Sequence, residues 1–309
     1  MNHVQHFIGT AFIGIALSIF FLYAQSFFRR KGSLLRRLIP FEPRNPVPWS
    51  GLELFFFIIF WFLVIGISLG VCRNMQFGSH IQERALEADR ILELQKEHAL
   101  TQLIVCGRDN PHIFLVVFLA GVVIIPIGEE FLFRLLLQGS LEKLEGSLRK
   151  FLRVFRGLFT VLCSSVIFAL IHWRSTTEER PFQELYDGFL ALMIVYIVLI
   201  AVIGAYLLLI RGATPGDLGI DWRKIPGDCG LGLGAAALLL PPIYLLNGGL
   251  TLLVGDTGYA LDPIPLFFFA VGIGILYFRT RRILPCIMLH GIFNGIAVAI
   301  SHMNAYAFF

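Results

Sequence analysis

The sequence predicts an all-α protein, a polytopic integral membrane bundle of about eight transmembrane helices. Three observations predict it. The 309 residues are 57% hydrophobic and only 15% charged, with a mean hydropathy of +0.77, which leaves too little polar material to coat a soluble surface. Apolar runs recur at lengths near the ~20 residues needed to cross a ~30 Å hydrocarbon core. Lysine and arginine gather in the stretches between those runs and favour alternate ones. This composition excludes a cytosolic enzyme, a disordered regulator and a secreted disulfide scaffold. The five cysteines, Cys72, Cys106, Cys163, Cys229 and Cys286, show no C-x-x-C or other metal-ligand spacing and read as packing residues. The net charge of +4 comes from short basic clusters without aromatic interleaving, so it reports topology and implies no nucleic-acid partner. The partner it does imply is the lipid bilayer.

The first apolar run, 7–28, is followed by Arg29, Arg30 and Lys31 rather than by a small-residue cleavage site, so it is expected to stay as a span. The second is 51–72. Between it and the third, residues 81–100 place Ile81, Ala85, Ala88 and Leu92 on one face, with Glu87/Arg90 and Glu93/Lys96 as i,i+3 pairs. They predict an amphipathic helix outside the bilayer, read first as a solvated connector. Runs three to six are 112–138, 157–173, 187–210 and 229–254. Runs seven and eight, 263–278 and 283–301, are separated only by the Arg279–Arg282 region and predict a tight helical hairpin. Residues 1–111 thus carry two spans and the connector, and 112–309 a membrane core. The loops after spans one, three, five and seven hold 17 Lys and Arg against 7 on the other side. The positive-inside rule then places both termini outside the cytoplasm, across the inner membrane in a bacterial cell.

Ionisable groups inside a span cost about 2.5–3.5 kcal/mol each on insertion scales and so ask for a function. Glu129, Glu130 and Arg134 lie in PIGEEFLFRLLLQG, Phe168 and His172 close the fourth run in FALIH, and His290 and Asn294 lie in LHGIFNG. Glu130 and Arg134 are i,i+4 neighbours and can neutralise one another, while Glu129 is turned about 100° away and left for chemistry. His290 and Asn294 share a helix face by the same spacing. Along ideal helices His290 is about 12 Å from Arg282, and the glutamates are at a similar depth from Gln138. His172, 16 residues beyond Arg156, comes out about 24 Å deep.

A carboxylate and imidazoles in a partly dry cavity are equipment for water-mediated hydrolysis, one group taking the proton of a water that attacks a carbonyl. Asn294 and His290 suit an oxyanion site. Alternatively Glu129, His172 and His290 can hold a divalent metal such as zinc that lowers the pKa of its water. Ser164, Ser165, Cys163 and Cys286 have no evident base beside them, so a covalent nucleophile is the weaker reading. Two other classes compete: a proton-relaying transporter, which needs titratable groups stepping through the whole bilayer, and a non-catalytic binder.

E-E-x-x-x-R at 129–134, F-x-x-x-H at 168–172 and H-x-x-x-N at 290–294, in that order, with LPCIMLHGIFNG around the last, resemble the CPBP family of intramembrane proteases. That family includes type II CAAX prenyl endopeptidases and relatives linked to bacteriocin self-immunity. The strict resemblance covers about 115–173 and 262–300. It implies that Glu129 activates water assisted by His172, that His290 and Asn294 stabilise the oxyanion or assist a metal, and that Glu130 and Arg134 support the site. The substrate it implies is a membrane-associated peptide or lipidated CAAX-type protein. The pattern departs in one respect: His172 and His290 are 118 residues apart, about twice the usual gap. LIRGATPGDLGIDW and LLLPPIYLLN look like text that such proteins carry before the double glutamate. Residues 174–262 thus read as an interposed pair of spans, and an even number returns the chain to the same side.

Overall fold

The computed structural model describes residues 3–28, 39–42, 47–75, 99–106, 110–147, 157–173, 182–254, 261 and 263–305. Among them every regular element is a helix: α1 His3–Phe28, α2 Gly51–Met75, α3 Ala99–Cys106, α4 Pro111–Phe118, α5 Ile125–Glu130, α6 Gly139–Ser147, α7 Leu158–Ile171, α8 Phe182–Ala205, α9 Ile225–Val254, α10 Pro263–Thr280 and α11 Leu284–Ala305. Two π-helical turns, Leu119–Ile124 and Phe131–Gln138, join α4, α5 and α6 into one continuous rod. Among the described residues seven helical stretches are long and apolar enough to cross a membrane, and α7 is a shorter apolar helix. The chain is an all-α, multi-pass integral membrane protein. The connector expected over 81–98 lies outside the described residues.

At 14 residues, α7 measures about 21 Å, short of a ~30 Å hydrocarbon core. His172 directly follows its last residue and forms the C-cap. Run four of the sequence is therefore a short helix that carries its histidine at its end rather than in its middle. The hairpin expected between runs seven and eight is a three-residue turn, Arg281 to Ile283, between α10 and α11.

Two compact units divide the chain. One comprises Met1–Pro46, Leu137–Thr176 and Gly219–Leu289. In it α1 lies along α9 and α7 along α10. Phe20 stacks on Phe268 with centroids 4.5 Å apart, and the Tyr23 hydroxyl donates to the Leu238 carbonyl at 2.9 Å. The buried Gln138 amide donates to the Gly274 carbonyl at 3.0 Å. At one end Lys224 and Arg282 converge on Glu42, at 3.0 and 3.4 Å, and Arg282 also pairs with Asp228.

The other unit comprises Val47–Leu136, Thr177–Leu218 and His290–Phe309. Ser50 and Glu53 close a capping box at the start of α2: Glu53 Oε2 accepts from the Ser50 N–H at 2.7 Å and Ser50 Oγ from the Glu53 N–H at 3.3 Å. Glu53 is further held by Tyr206 Oη at 2.8 Å and Arg211 Nε at 2.9 Å. Asn110 caps α4 through the His112 N–H, with Pro111 at the first helical position. Leu103, Ile104, Val105, Ile113, Val117 and Val298 form a buried apolar cluster. α8 packs on α2 and α5, which brings its middle turns beside the two glutamates.

Candidate active site

Pro126 shapes the helix before the glutamates. The Ile125 N–H donates to Ala120 O, five residues back, as a π turn does. Gly121 O has then lost its ordinary partner, and the residue five ahead of it is Pro126, which has no N–H. Asn294 of α11 meets that orphan carbonyl, its Nδ2 donating at 2.8 Å. Gly291, one turn earlier on α11, permits the approach, since a Cβ there would lie 2.9 Å from Val122 O. The amide of Asn294 is thus fixed by a backbone group that a π turn exposes, and Nδ2 retains a second hydrogen.

Glu130 and Arg134 form the expected i,i+4 pair, Nε to Oε2 at 3.2 Å, both side chains fully buried. The second Glu130 oxygen is not idle. His290 Nδ1 donates to Oε1 at 2.8 Å. The other ring nitrogen, Nε2, lies 3.5 Å from Glu129 Oε2. The helix geometry that separates the two carboxylates by one residue therefore lets them grip the same imidazole from two directions. Tyr196 of α8 completes the set, its hydroxyl donating to Glu129 Oε1 at 3.4 Å. Arg134, Glu130, His290, Glu129 and Tyr196 form a continuous buried chain, none of them more than 6% exposed.

This chain carries two carboxylates and one guanidinium. Carboxylates in so dry a place are costly unless partners meet them, and His290 stands between the two.

His172 belongs to the other unit. Its Nδ1–H donates to the Phe168 carbonyl at 2.7 Å, and its ring lies against that of Phe168, centroids 4.4 Å apart. A carbonyl only accepts, so Nδ1 carries a proton in this contact. The F-x-x-x-H spacing is in this way one device: the helix end that supplies the free carbonyl also supplies the aromatic wall.

The structure brings Glu129, Glu130, Arg134, His290 and Asn294 into one unit and orients His172 through Phe168. Tyr196 was not anticipated, because a tyrosine in an apolar run is unremarkable, and only Gly128 hints at a large neighbour. Among the described residues no group of three His, Cys, Asp or Glu side chains could hold a metal ion. Around His290 both ring nitrogens already face carboxylates and Glu130 is bound to Arg134. Of the three donors expected for a metal, Glu129 and His290 lie in this unit and His172 in the other.

The family model described as type II CAAX prenyl endopeptidase Rce1-like matches residues 111–218 and 230–296, and the chain belongs to that family, a family of membrane proteases. The first match runs unbroken through α8. No curated protein matches the chain, nor does any solved structure.

Proposed function

We propose that the chain is an intramembrane endopeptidase that hydrolyses a peptide bond of a membrane-associated, CAAX-type prenylated substrate by metal-free general base catalysis. The observation that carries this is the buried Arg134–Glu130–His290–Glu129 chain, which sets a carboxylate against an imidazole inside the membrane. Glu129 takes a proton from water as its oxygen bonds to the scissile carbonyl carbon. The carbonyl electrons move onto oxygen, and hydrogen donors meet the new negative charge: the second Nδ2 hydrogen of Asn294 and the His290 proton. Collapse of that intermediate breaks the C–N bond, and Glu129 returns its proton to the leaving amine. His172, its ring oriented through Phe168, is the residue we propose to assist that activation. Glu130 and Arg134 act on His290 by fixing its tautomer and ring plane. The catalytic part is the membrane core from residue 112 onward, 174–262 being interposed within it. The excess of loop Lys and Arg on one side puts both termini outside the cytoplasm.

The test is cleavage of an internally quenched, farnesylated peptide ending in a CAAX sequence by the purified chain in lipid nanodiscs. Hydrolysis is expected, insensitive to metal chelators and lost in Glu129→Gln. A chain that binds this peptide and leaves it intact is the non-catalytic binder. Cleavage that chelators stop and zinc restores overturns the metal-free mechanism.

A further inference from the structure

We infer that Tyr196 is a positioning residue for Glu129. Its hydroxyl holds one carboxylate oxygen so that the other stays aimed along the His290 line. The inference rests on the hydrolytic reading of the site and adds a residue from the interposed segment, outside the three sequence motifs.

The terminal torsion of a glutamate is broad and nearly two-fold, so one hydrogen bond leaves its carboxylate free to swing. Two partners on different oxygens stop that motion. Glu129 has them: Tyr196 on Oε1 at 3.4 Å and His290 on Oε2 at 3.5 Å. Both distances are longer than the usual ~2.8 Å, as catalytic hydrogen bonds commonly are before substrate arrives. Tyr196 is itself immobilised. It is 3% exposed, and its ring packs directly on the backbone of Gly128, where any Cβ would overlap it. A glycine inside a helix is unfavourable, and here its lack of a side chain is what admits the ring beside the base. The ring is neutral and bulky, so it also keeps bulk water off Oε1 without adding a charge to the cluster.

The test compares side chains at 196 in the full chain in nanodiscs, with the farnesylated peptide as substrate. Tyr196→Phe is expected to lower kcat about tenfold to a hundredfold, the range for slight misplacement of a reacting group, with KM and thermal midpoint unchanged. Para-aminophenylalanine at 196, which restores a donor, recovers kcat to within about threefold of the parent. Para-methylphenylalanine, of matching bulk without a donor, does not. It also serves where Tyr196→Phe fails to accumulate. An unchanged kcat without the hydroxyl, or equal losses with and without a donor, overturns the inference. Failure of the hydrolytic reading shows separately, as a parent chain that cleaves nothing. The contact is then read from 3-fluorotyrosine at 196, whose fluorine resonance shifts in Glu129→Gln if the hydroxyl holds that carboxylate and stays in place if it does not.

Discussion

Two clusters of carboxylates and cations in this molecule use the same residue types to opposite ends. In the first unit Glu42 is met by Lys224 and Arg282, and Asp228 by Arg282. Arg279 adds its guanidinium to the Ile39 carbonyl at 2.7 Å. Cations match or exceed carboxylates there, several members reach solvent, and the cluster ties residues 39–42 to the turn after α10. In the second unit a single guanidinium, Arg134, serves two buried carboxylates through an imidazole. The matched cluster has nothing left over with which to react. The buried one lines a carboxylate and an imidazole along one chain of contacts, and that arrangement separates a site from a clasp.

The largest expected effect comes from removing the carboxylate proposed as the base. Glu129→Gln lowers the rate of peptide cleavage by about 10²–10⁴-fold, the contribution of a general base, while the variant purifies and melts like the parent. Equal loss of fold and activity breaks the contrast, since Glu129 then serves packing.

Arg134→Leu deletes the one cation of the dry cluster. It is expected to cost about 3–5 kcal/mol of stability by leaving Glu130 buried and unpaired, read as a lower denaturation midpoint in detergent together with loss of cleavage. Restoration by Glu130→Gln in the same chain sharpens the point: the double variant regains stability and stays inactive, because His290 has lost its carboxylate.

Asp228→Asn removes one partner of Arg282 and leaves it Glu42. A loss of about 1.5–3 kcal/mol, the worth of a hydrogen bond to a charged group, is expected with kcat unchanged. A fall in kcat at full occupancy of folded protein contradicts the assignment of this cluster to structure. Smallest is Lys224→Ala. Its ammonium is 43% exposed, and the change is expected to shift stability by less than about 1 kcal/mol, less still at high salt.

Much of this was legible along the chain because it depends on short-range geometry. Composition and run length fix the solvent of the fold, so a helical membrane bundle follows from the apolar fraction alone. The i,i+4 register puts Glu130 on Arg134, His290 beside Asn294 and Phe168 beneath His172 in any α-helix. The depth counted for His172 uses the same ideal geometry, and α7 runs 14 residues from Leu158 up to that histidine. The 81–100 connector has no counterpart in the described residues until Ala99, where α3 begins.

What only the tertiary structure decided is which groups from distant helices meet. His290 reaches Glu130 across 160 residues of sequence, Asn294 reaches Gly121 across 173, and Tyr196 reaches Glu129 across 67. No periodicity encodes those distances. They follow from a proline that opens a π turn, glycines that let helices close in, and the packing of α8 against α5. The sequence by itself determined which residues carry charge into the membrane, because burying a charge is costly wherever it lies. The structure decided which partners each of those charges meets, because that depends on every neighbour that packing brings within reach.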